Sequence, residues 1–389
     1  MIQLSERTKY FTDSVIRRMT RVCNQYGAVN LSQGFPDNDP PKPLMDRLEK
    51  VAHTGPHQYA ITWGAPKTLD ALAKKIEHFS GIKVDPQQEL CITCGGTEAM
   101  MCAVMATINP GEKIAIFSPF YENYGADSVL CGATPIYVPL HVPDFSFDEN
   151  ELENAFKQGA KALILCNPSN PSGKVFTRDE LLAIARIVEK YNAFVITDEV
   201  YEHIIFEPYH HTYFATLLGM KDRTVMCNSL SKTYSITGWR LGYVCAPAYV
   251  MDRVRKVHDF LTVGAAAPLQ EAVIAGLELP DSYYQGVRDL FTHRKNIFCK
   301  GLDEIGLKYY EPQGTYFVMV DIGEFGYESD YDFCIDLARD VKVGAVPGSS
   351  FFKEPVNNYI RLHFAKSDET LHDALNNLSK IREIIKVKK

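Results

Sequence analysis

The sequence predicts an α/β protein: a mostly parallel β-sheet covered by helices on both faces, with a smaller α+β domain built from the two chain ends. Three observations carry this reading. Short apolar runs alternate with longer amphipathic stretches as far as about residue 284. The runs are apolar throughout rather than alternating, which is the pattern of strands buried on both faces. Beyond residue 285 the pattern changes to a charged helix, a strand-like run at 316–321, a helix, and two more short runs. The chain has 389 residues. At about 150 residues per domain that accommodates two domains, and a chain of this size needs no disulfide or metal to hold its core.

Taken in order, residues 1–45 contain no strand–helix unit of their own and are expected to pack with 285–389 as the small domain, leaving 46–284 as the large one. The first twenty residues carry Glu6, Arg7, Lys9, Asp13, Arg17 and Arg18, so no apolar core of a signal peptide fits between them. Strand-like runs come at 90–93, 114–117, 162–166, 194–197, 224–227 and 241–245. Between two of them Leu181, Leu182, Ala185, Ile187 and Val188 recur at a helical period. Thr177 and Glu180, three residues apart, spell a capping box at the start of that helix. The apolar stretch 261–279 is interrupted by Pro268, Gln270, Glu271 and Glu278 and makes a poor membrane span. A soluble, cytoplasmic protein is expected, with no membrane partner.

Charge and cysteine usage narrow the function. Lys plus Arg is 41 against Asp plus Glu 48, a net charge of −7. That excludes a general binder of nucleic-acid backbones. Among the ten cysteines only Cys91 and Cys94 form a CxxC, and no second pair stands at zinc-ribbon spacing. The cysteines read as core packing and no metal is expected.

In an open parallel sheet, ligands bind beyond the carboxyl ends of the strands. The residues just after each run are therefore informative. The run at 90–93 leads into Gly95, Gly96, Thr97 and Glu98; that at 114–117 into Ser118, Pro119, Phe120 and Tyr121. The run at 162–166 leads into Asn167-Pro-Ser-Asn170-Pro171-Ser-Gly173, that at 194–197 into Asp198 and Tyr201, and that at 224–227 into Ser229, Ser231 and Lys232. A parallel sheet brings all of these to one rim. A glycine turn opening a helix suits a phosphate.

Ser229-x-x-Lys232 followed by Gly238-Trp239-Arg240, with Asp198-x-x-Tyr201 and Asn170-Pro171-x-Gly173 upstream, resembles the aspartate-aminotransferase fold of pyridoxal 5′-phosphate enzymes. The likeness runs from Asn30-Leu31-Ser32-Gln33-Gly34-Phe35-Pro36-Asp37 to Tyr359-Ile360-Arg361. It implies an aminotransferase that uses pyridoxal 5′-phosphate, an L-amino acid and a 2-oxo acid. By the same resemblance Lys232 is the Schiff-base lysine and proton shuttle, and Asp198 faces the cofactor's pyridine nitrogen. Asn170 and Tyr201 bond its phenolic oxygen, Tyr121 stacks on the ring with Phe120 as its rival, and Asn167 is only a turn former. Gly96, Thr97, Ser229 and Arg240 form the phosphate cup. Arg361, Asn170 and Gly34 take the substrate α-carboxylate. Tyr59 matches a tyrosine that reaches the neighbouring subunit's phosphate, which implies a homodimer with shared active sites.

Two markers for aspartate are missing. The arginine about 26 residues after the Arg240 position in one branch falls here in the arginine-free stretch 263–267, and the lysine of another branch is Thr97. The string Ser32-Gln33-Gly34-Phe35-Pro36-Asp37 instead resembles the kynurenine, glutamine and methionine aminotransferases. Phe35, Tyr59, Trp63 and Tyr121 are expected to line an apolar side-chain pocket. A carbon–sulfur β-lyase and an aspartate-type aminotransferase are the alternatives on this fold. A dicarboxylic co-substrate needs a further cation, for which Arg17, Arg18 and Arg21 qualify only if the N-terminal segment folds over the site.

Overall fold

The computed structural model describes residue 2 and residues 4–387. Its centre is a seven-stranded sheet: β1 (Leu90–Thr93), β2 (Lys113–Ser118), β3 (Thr134–Pro139), β4 (Ala160–Cys166), β5 (Phe194–Asp198), β6 (Thr224–Ser229) and β7 (Gly242–Cys245). The strand order is β1-β7-β6-β5-β4-β2-β3. Only β7 runs against its neighbours: it is antiparallel to both β1 and β6, while the other pairs are parallel. Six carboxyl ends therefore meet on one rim, as the fully apolar runs require.

Both faces of the sheet are covered, and the period of two shows it. Leu163 and Leu165 of β4 pack in one cluster with Leu181, Ile184 and Val188 of the helix Arg178–Lys190. Ala162 and Ile164, pointing the other way, join Met100, Val104 and Val250 from helices Gly96–Thr107 and Ala248–Thr262. The capping box forms as expected, with Thr177 accepting from the Glu180 backbone and Glu180 reaching back to Thr177. Strand β3 is not among the expected runs. It is an edge strand, with Val138 its one buried residue and prolines at both ends of its register, so its sequence lacks the continuous apolar signature of its neighbours.

A second, four-stranded antiparallel sheet is built from Tyr309–Tyr310, Phe317–Asp321, Val346–Pro347 and Tyr359–His363. The N-terminus packs with it: helix α1 (Val15–Tyr26) contributes Met19 to a cluster holding Phe317, Leu362 and Leu378, and Val29–Asn30 pairs with Val343–Gly344. The expected boundaries at 45/46 and 284/285 each fall inside a helix, Lys42–Thr54 and Asp281–Ile305. Leu44 and Tyr284 share a cluster with Leu90 and Tyr243 of the large sheet, whereas Val287 and Phe298 pack with the smaller one. The stretch 261–279 divides into the end of one helix and the helix Ala267–Leu277, broken at Val263 and Gly264. Among the described residues no helix is long and apolar enough to cross a membrane. All ten cysteines are free thiols.

Candidate active site

The rim of the sheet, the turn after β6 and the start of α1 enclose a cavity of about 460 Å³. Nearly all the residues singled out from the sequence line it: Gly34, Gly96, Thr97, Tyr121, Asn170, Asp198, Tyr201, Ser229, Lys232, Arg240 and Arg361.

At one end, Gly95 and Gly96 turn the chain from β1 into helix α2 (Gly96–Thr107). Gly95 has φ 86°, and a Cβ on it would lie 2.3 Å from Nη2 of Arg240. The turn is therefore bare on the side where the guanidinium presses, and the helix's first N–H groups point into the cavity region with its partial positive charge. Ser231 lines the same wall with a buried hydroxyl that has no hydrogen-bond partner. The Ser229 hydroxyl, by contrast, already donates to the Leu241 carbonyl at 3.3 Å. Backbone N–H groups, hydroxyls and one arginine make a donor set that fits a phosphate dianion.

Asp198 ends β5 with 7% exposure. Burial pushes its carboxyl above the ordinary carboxylate range, and the hydrogen bond from Tyr124 pulls the other way. Tyr124 Oη donates to Asp198 Oδ2 at 2.6 Å. A carboxylate held this deep is costly without a cationic partner, so its placement fits a protonated ring nitrogen. Tyr124 is a residue that sequence reasoning missed. A buried tyrosine on a helix reads as core, although its three-residue spacing from Tyr121 on the turn into helix α3 (Asn123–Leu130) was the available signal.

Tyr121 lines the cavity, while Phe120 does not and packs on Tyr137, ring centroids 4.8 Å apart. Of the two aromatics, the cavity-facing one is thus Tyr121. Asn167 is a turn former as expected: its Oδ1 accepts from the Phe176 backbone at 3.0 Å. Tyr201 is buried edge-on to Tyr316, centroids 5.3 Å apart. Lys232 Nζ reaches the Gly34 carbonyl at 3.4 Å, and Tyr316 Oη donates to that same oxygen at 2.9 Å.

Arg361 is 1% exposed. Its Nη1 donates to Asn170 Oδ1 at 2.7 Å and its Nη2 to the Ser32 carbonyl at 2.9 Å. The guanidinium lies between the rings of Phe317 and Phe351, 4.1 and 4.6 Å from their centroids. Burial draws its pKa down to about 10. Its Nε has no partner. A planar, locked, incompletely satisfied guanidinium is suited to gripping a carboxylate. The loop carrying Asn170 is itself tied down, since the backbones of Gln313 and Gly314 both donate to the Gly173 carbonyl.

Two expected pocket residues lie elsewhere. Trp63 is stacked under the Arg255 guanidinium, 4.9 Å from its ring centroid, in a separate surface hollow. Its side chain also packs against the cluster that holds Leu90. Tyr59 is 89% exposed and touches no part of its own chain's cavity. Phe35 and Tyr121 do line the cavity, and Ile16 and Phe317 join them. The N-terminal segment does fold over the site, with Ser14, Ile16 and Arg17 of its first turn in the cavity wall.

Comparison with known proteins agrees with this geometry. Residues 26–378 match the family described as Aminotransferase class I and II. The chain is 33% identical to the methionine aminotransferase of Escherichia coli, over 95% of this chain and 96% of that one. It is 30% identical to a kynurenine–oxoglutarate transaminase of Dictyostelium discoideum, over 97% and 96% of the two chains. The solved structure of N-succinyldiaminopimelate aminotransferase from Mycobacterium tuberculosis superposes with a TM-score of 0.94 at 35% identity, covering 97% of this chain and 99% of that one. A match of this length to the family, together with a rim whose donors fit a phosphate and whose buried carboxylate fits a ring nitrogen, places the chain in the class I and II aminotransferases, enzymes that depend on pyridoxal 5′-phosphate.

Proposed function

We propose that this aminotransferase takes its amino group from an L-amino acid with an aromatic, methionine-like or kynurenine-like side chain and passes it to a 2-oxo acid in a ping-pong sequence. The observation that carries the reading is the surroundings of Arg361. A fully buried guanidinium, fixed by Asn170 and Ser32, faces a cavity whose apolar wall is Ile16, Phe35, Tyr121 and Phe317. With Thr97 at one aspartate-marker position and an arginine-free stretch at the other, a short side-chain carboxylate has no buried cation to meet and is expensive to desolvate. An apolar side chain instead gains about 25 cal/mol for each Å² it buries. The methionine and kynurenine names of two relatives support the same class.

When bound, the cofactor supplies an aldehyde conjugated to an electron-withdrawing ring. The protein supplies the rest. Gly96, Thr97, Ser229, Ser231 and Arg240 hold the phosphate. Tyr121 would cover the ring, Asp198 would hold a proton on its nitrogen, and Tyr201 would donate to its phenolic oxygen. Asn170 would do so too: its Oδ1 is taken by Arg361, which leaves the Nδ2 hydrogens to donate. Arg361 and the Gly34 backbone orient the substrate by its α-carboxylate. Lys232 Nζ, which reaches the Gly34 carbonyl at 3.4 Å, would take the α-proton of a substrate held by Arg361 and give it back. Because one cavity must serve donor and acceptor in turn, the two half-reactions cannot overlap in time.

Tyr59 fits this scheme as a residue given to a second copy of the chain. It is exposed together with Ile61, Phe260, Leu261 and Val263. Gly264 ties these segments together: its Cβ position is 3.2 Å from the Thr62 carbonyl, and its own carbonyl accepts from Cys94 beside the glycine turn. An apolar surface next to the phosphate wall is suited to a two-fold homodimer with shared sites, acting in the cytoplasm.

The test is direct competition of phenylalanine, methionine, kynurenine and aspartate against one 2-oxo acid. The apolar donors should lead aspartate in kcat/KM by about tenfold or more, some 1.4 kcal/mol. A clear preference for aspartate overturns the donor class.

A further inference from the structure

The glycine turn that opens α2 carries a negative charge of its own. Glu98, the third residue of that helix, is 9% exposed and reaches back past Gly95 to accept from the Cys94 backbone N–H. Its other oxygen accepts from the Thr262 hydroxyl at 2.9 Å and faces His258 Nδ1 at 2.7 Å. A carboxylate in the first turn is favourable for the helix, because it meets the positive end of the helix dipole. A phosphate at the same turn would use that same positive end. An uncompensated carboxylate there opposes a dianion, and in a buried setting the repulsion is weakly screened.

His258 answers that charge. Its ring is fully buried on the helix Ala248–Thr262, and its Nε2 lies 2.8 Å from the Thr62 carbonyl. A carbonyl only accepts, so Nε2 carries a hydrogen. The Glu98 carboxylate on the other side of the ring accepts from the Cys94 N–H and the Thr262 hydroxyl, which favours its ionised form. A hydrogen on Nδ1 then completes the contact. Burial opposes a charged ring, but the Glu98 carboxylate outweighs it and sets the His258 pKa above its ordinary value. Burial likewise opposes the charge on Glu98, and the hydrogen bonds from His258 and Cys94 outweigh it and hold that carboxyl below the ordinary range.

The surroundings offer no other answer to Glu98. Among the described residues, His258 is its ion-pair partner. Asp259, on the same helix as His258, is exposed and negative. Cys102 Sγ lies 3.9 Å from Glu98 Oε1 and makes with it and His258 a trio of metal-ligand types. Both ring nitrogens already face acceptors, so the trio holds protons where a metal would need lone pairs. Burial raises the thiols of Cys94 and Cys102 above their ordinary value, which keeps them neutral. Arg240, the cation pressed against the turn, is exposed and donates to the Thr237 carbonyl at 2.9 Å.

We propose that His258 is a positioning residue that, as an imidazolium, cancels the charge of Glu98 and so keeps the glycine turn receptive to the cofactor phosphate. It touches neither cofactor nor substrate and acts through Glu98. The inference rests on the reading that places the phosphate at the Gly95–Gly96 turn. It also explains why a helix end suited to an anion tolerates a buried carboxylate in its first turn.

The experiment uses the full-length enzyme, stripped of cofactor and titrated by absorbance with pyridoxal 5′-phosphate and with pyridoxal, which lacks the phosphate. Wild type, His258→Gln, Glu98→Gln and the double variant are compared. His258→Gln should weaken pyridoxal 5′-phosphate by about tenfold or more relative to pyridoxal. Glu98→Gln and the double variant, in which the turn again carries no net charge, should stay within about threefold of the wild type in that ratio. Equal weakening of both ligands, or a double variant that binds phosphate worse than His258→Gln, overturns the proposal, because losses of mere packing would spare neither ligand and would accumulate. Neutron diffraction of the wild-type holoenzyme decides the same point without a variant. Hydrogens on both ring nitrogens of His258 are expected, and a ring protonated at Nε2 alone overturns the proposal even where a buried substitution prevents folding. A wild type that binds pyridoxal as tightly as pyridoxal 5′-phosphate overturns the phosphate placement itself, which keeps the two failures distinguishable.

Discussion

The floor and the mouth of the cavity are built on opposite plans. On the floor, Asp198, Tyr201, Asn170 and Arg361 are 7, 3, 7 and 1% exposed, and every one is packed or hydrogen-bonded into place. At the mouth, Arg17, Thr97 and Arg240 are exposed. Groups whose charge must meet a fixed atom are buried, where the low dielectric strengthens each interaction and the surrounding packing prevents drift. Groups at the mouth stay in contact with water, where a side chain can change rotamer without disturbing the core. The cost falls on the floor. A buried arginine with an unpartnered Nε and a carboxyl raised by burial are each unfavourable to folding alone.

The strongest way to break the floor is Lys232→Ala. It leaves the phosphate donors and Arg361 in place while removing the proton carrier. Turnover should fall by about 10³ or more, with cofactor still bound by absorbance and no lysine at another position labelled after borohydride reduction of the wild type. Retained turnover would mean that another group moves the proton.

Tyr124→Phe is a smaller cut. It deletes the side-chain donor to Asp198 and leaves the Val200 N–H in place; a hydrogen bond to a charged group is worth roughly 1.5–3 kcal/mol. The expected result is a fall in kcat of about tenfold with KM little changed, and a displaced pH for the absorbance transition of the bound cofactor. If both stay at wild-type values, burial and the Val200 N–H set the state of Asp198 and Tyr124 is packing.

Asp127 sharpens the contrast, because it is buried like the floor yet serves nothing there. Its Oδ2 has no partner, and burial raises its carboxyl from 3.8 to about 7. The folded protein therefore holds a proton that the unfolded chain has released, so this contribution to stability is complete below about pH 4 and is lost as pH rises toward 7. Asp127→Asn should flatten that slope and gain roughly 1–3 kcal/mol over the wild type at pH 8, with little difference at pH 4. Urea unfolding at the two pH values measures it. An equal effect at both would mean that the carboxyl is ionised throughout.

How far the sequence reached depended on whether a residue's setting is local. The strand runs and the polar residues after them were legible, because an apolar run and the turn that ends it are neighbours along the chain. The one antiparallel strand, β7, looked like the rest, since direction is set by pairing with Met226–Ser229 and leaves no mark on composition. Strand β3 was invisible for want of buried side chains. Trp63 was expected to line the pocket, but it stacks with Arg255, a partner nearly two hundred residues on that its neighbours in the chain do not announce. The choice among Arg17, Arg18 and Arg21 needed the direction of a helix in space. Asp13, four residues before Arg17, was the one hint that two of the three would be occupied.

The carboxylate clamp also has a consequence for how the protein comes into being. Arg361 bonds to Asn170 across 191 residues and to Ser32 across 329. A chain still being synthesised already possesses its strands and glycine turn while the arginine has yet to leave the ribosome. Contacts this distant in sequence close last, after the loops between them have lost their freedom. On the proposed reading, chemistry is thus withheld from every partial chain: a fragment ending before residue 361 carries the glycine turn, Lys232 and Asn170, but not the guanidinium proposed to hold the substrate in line with them.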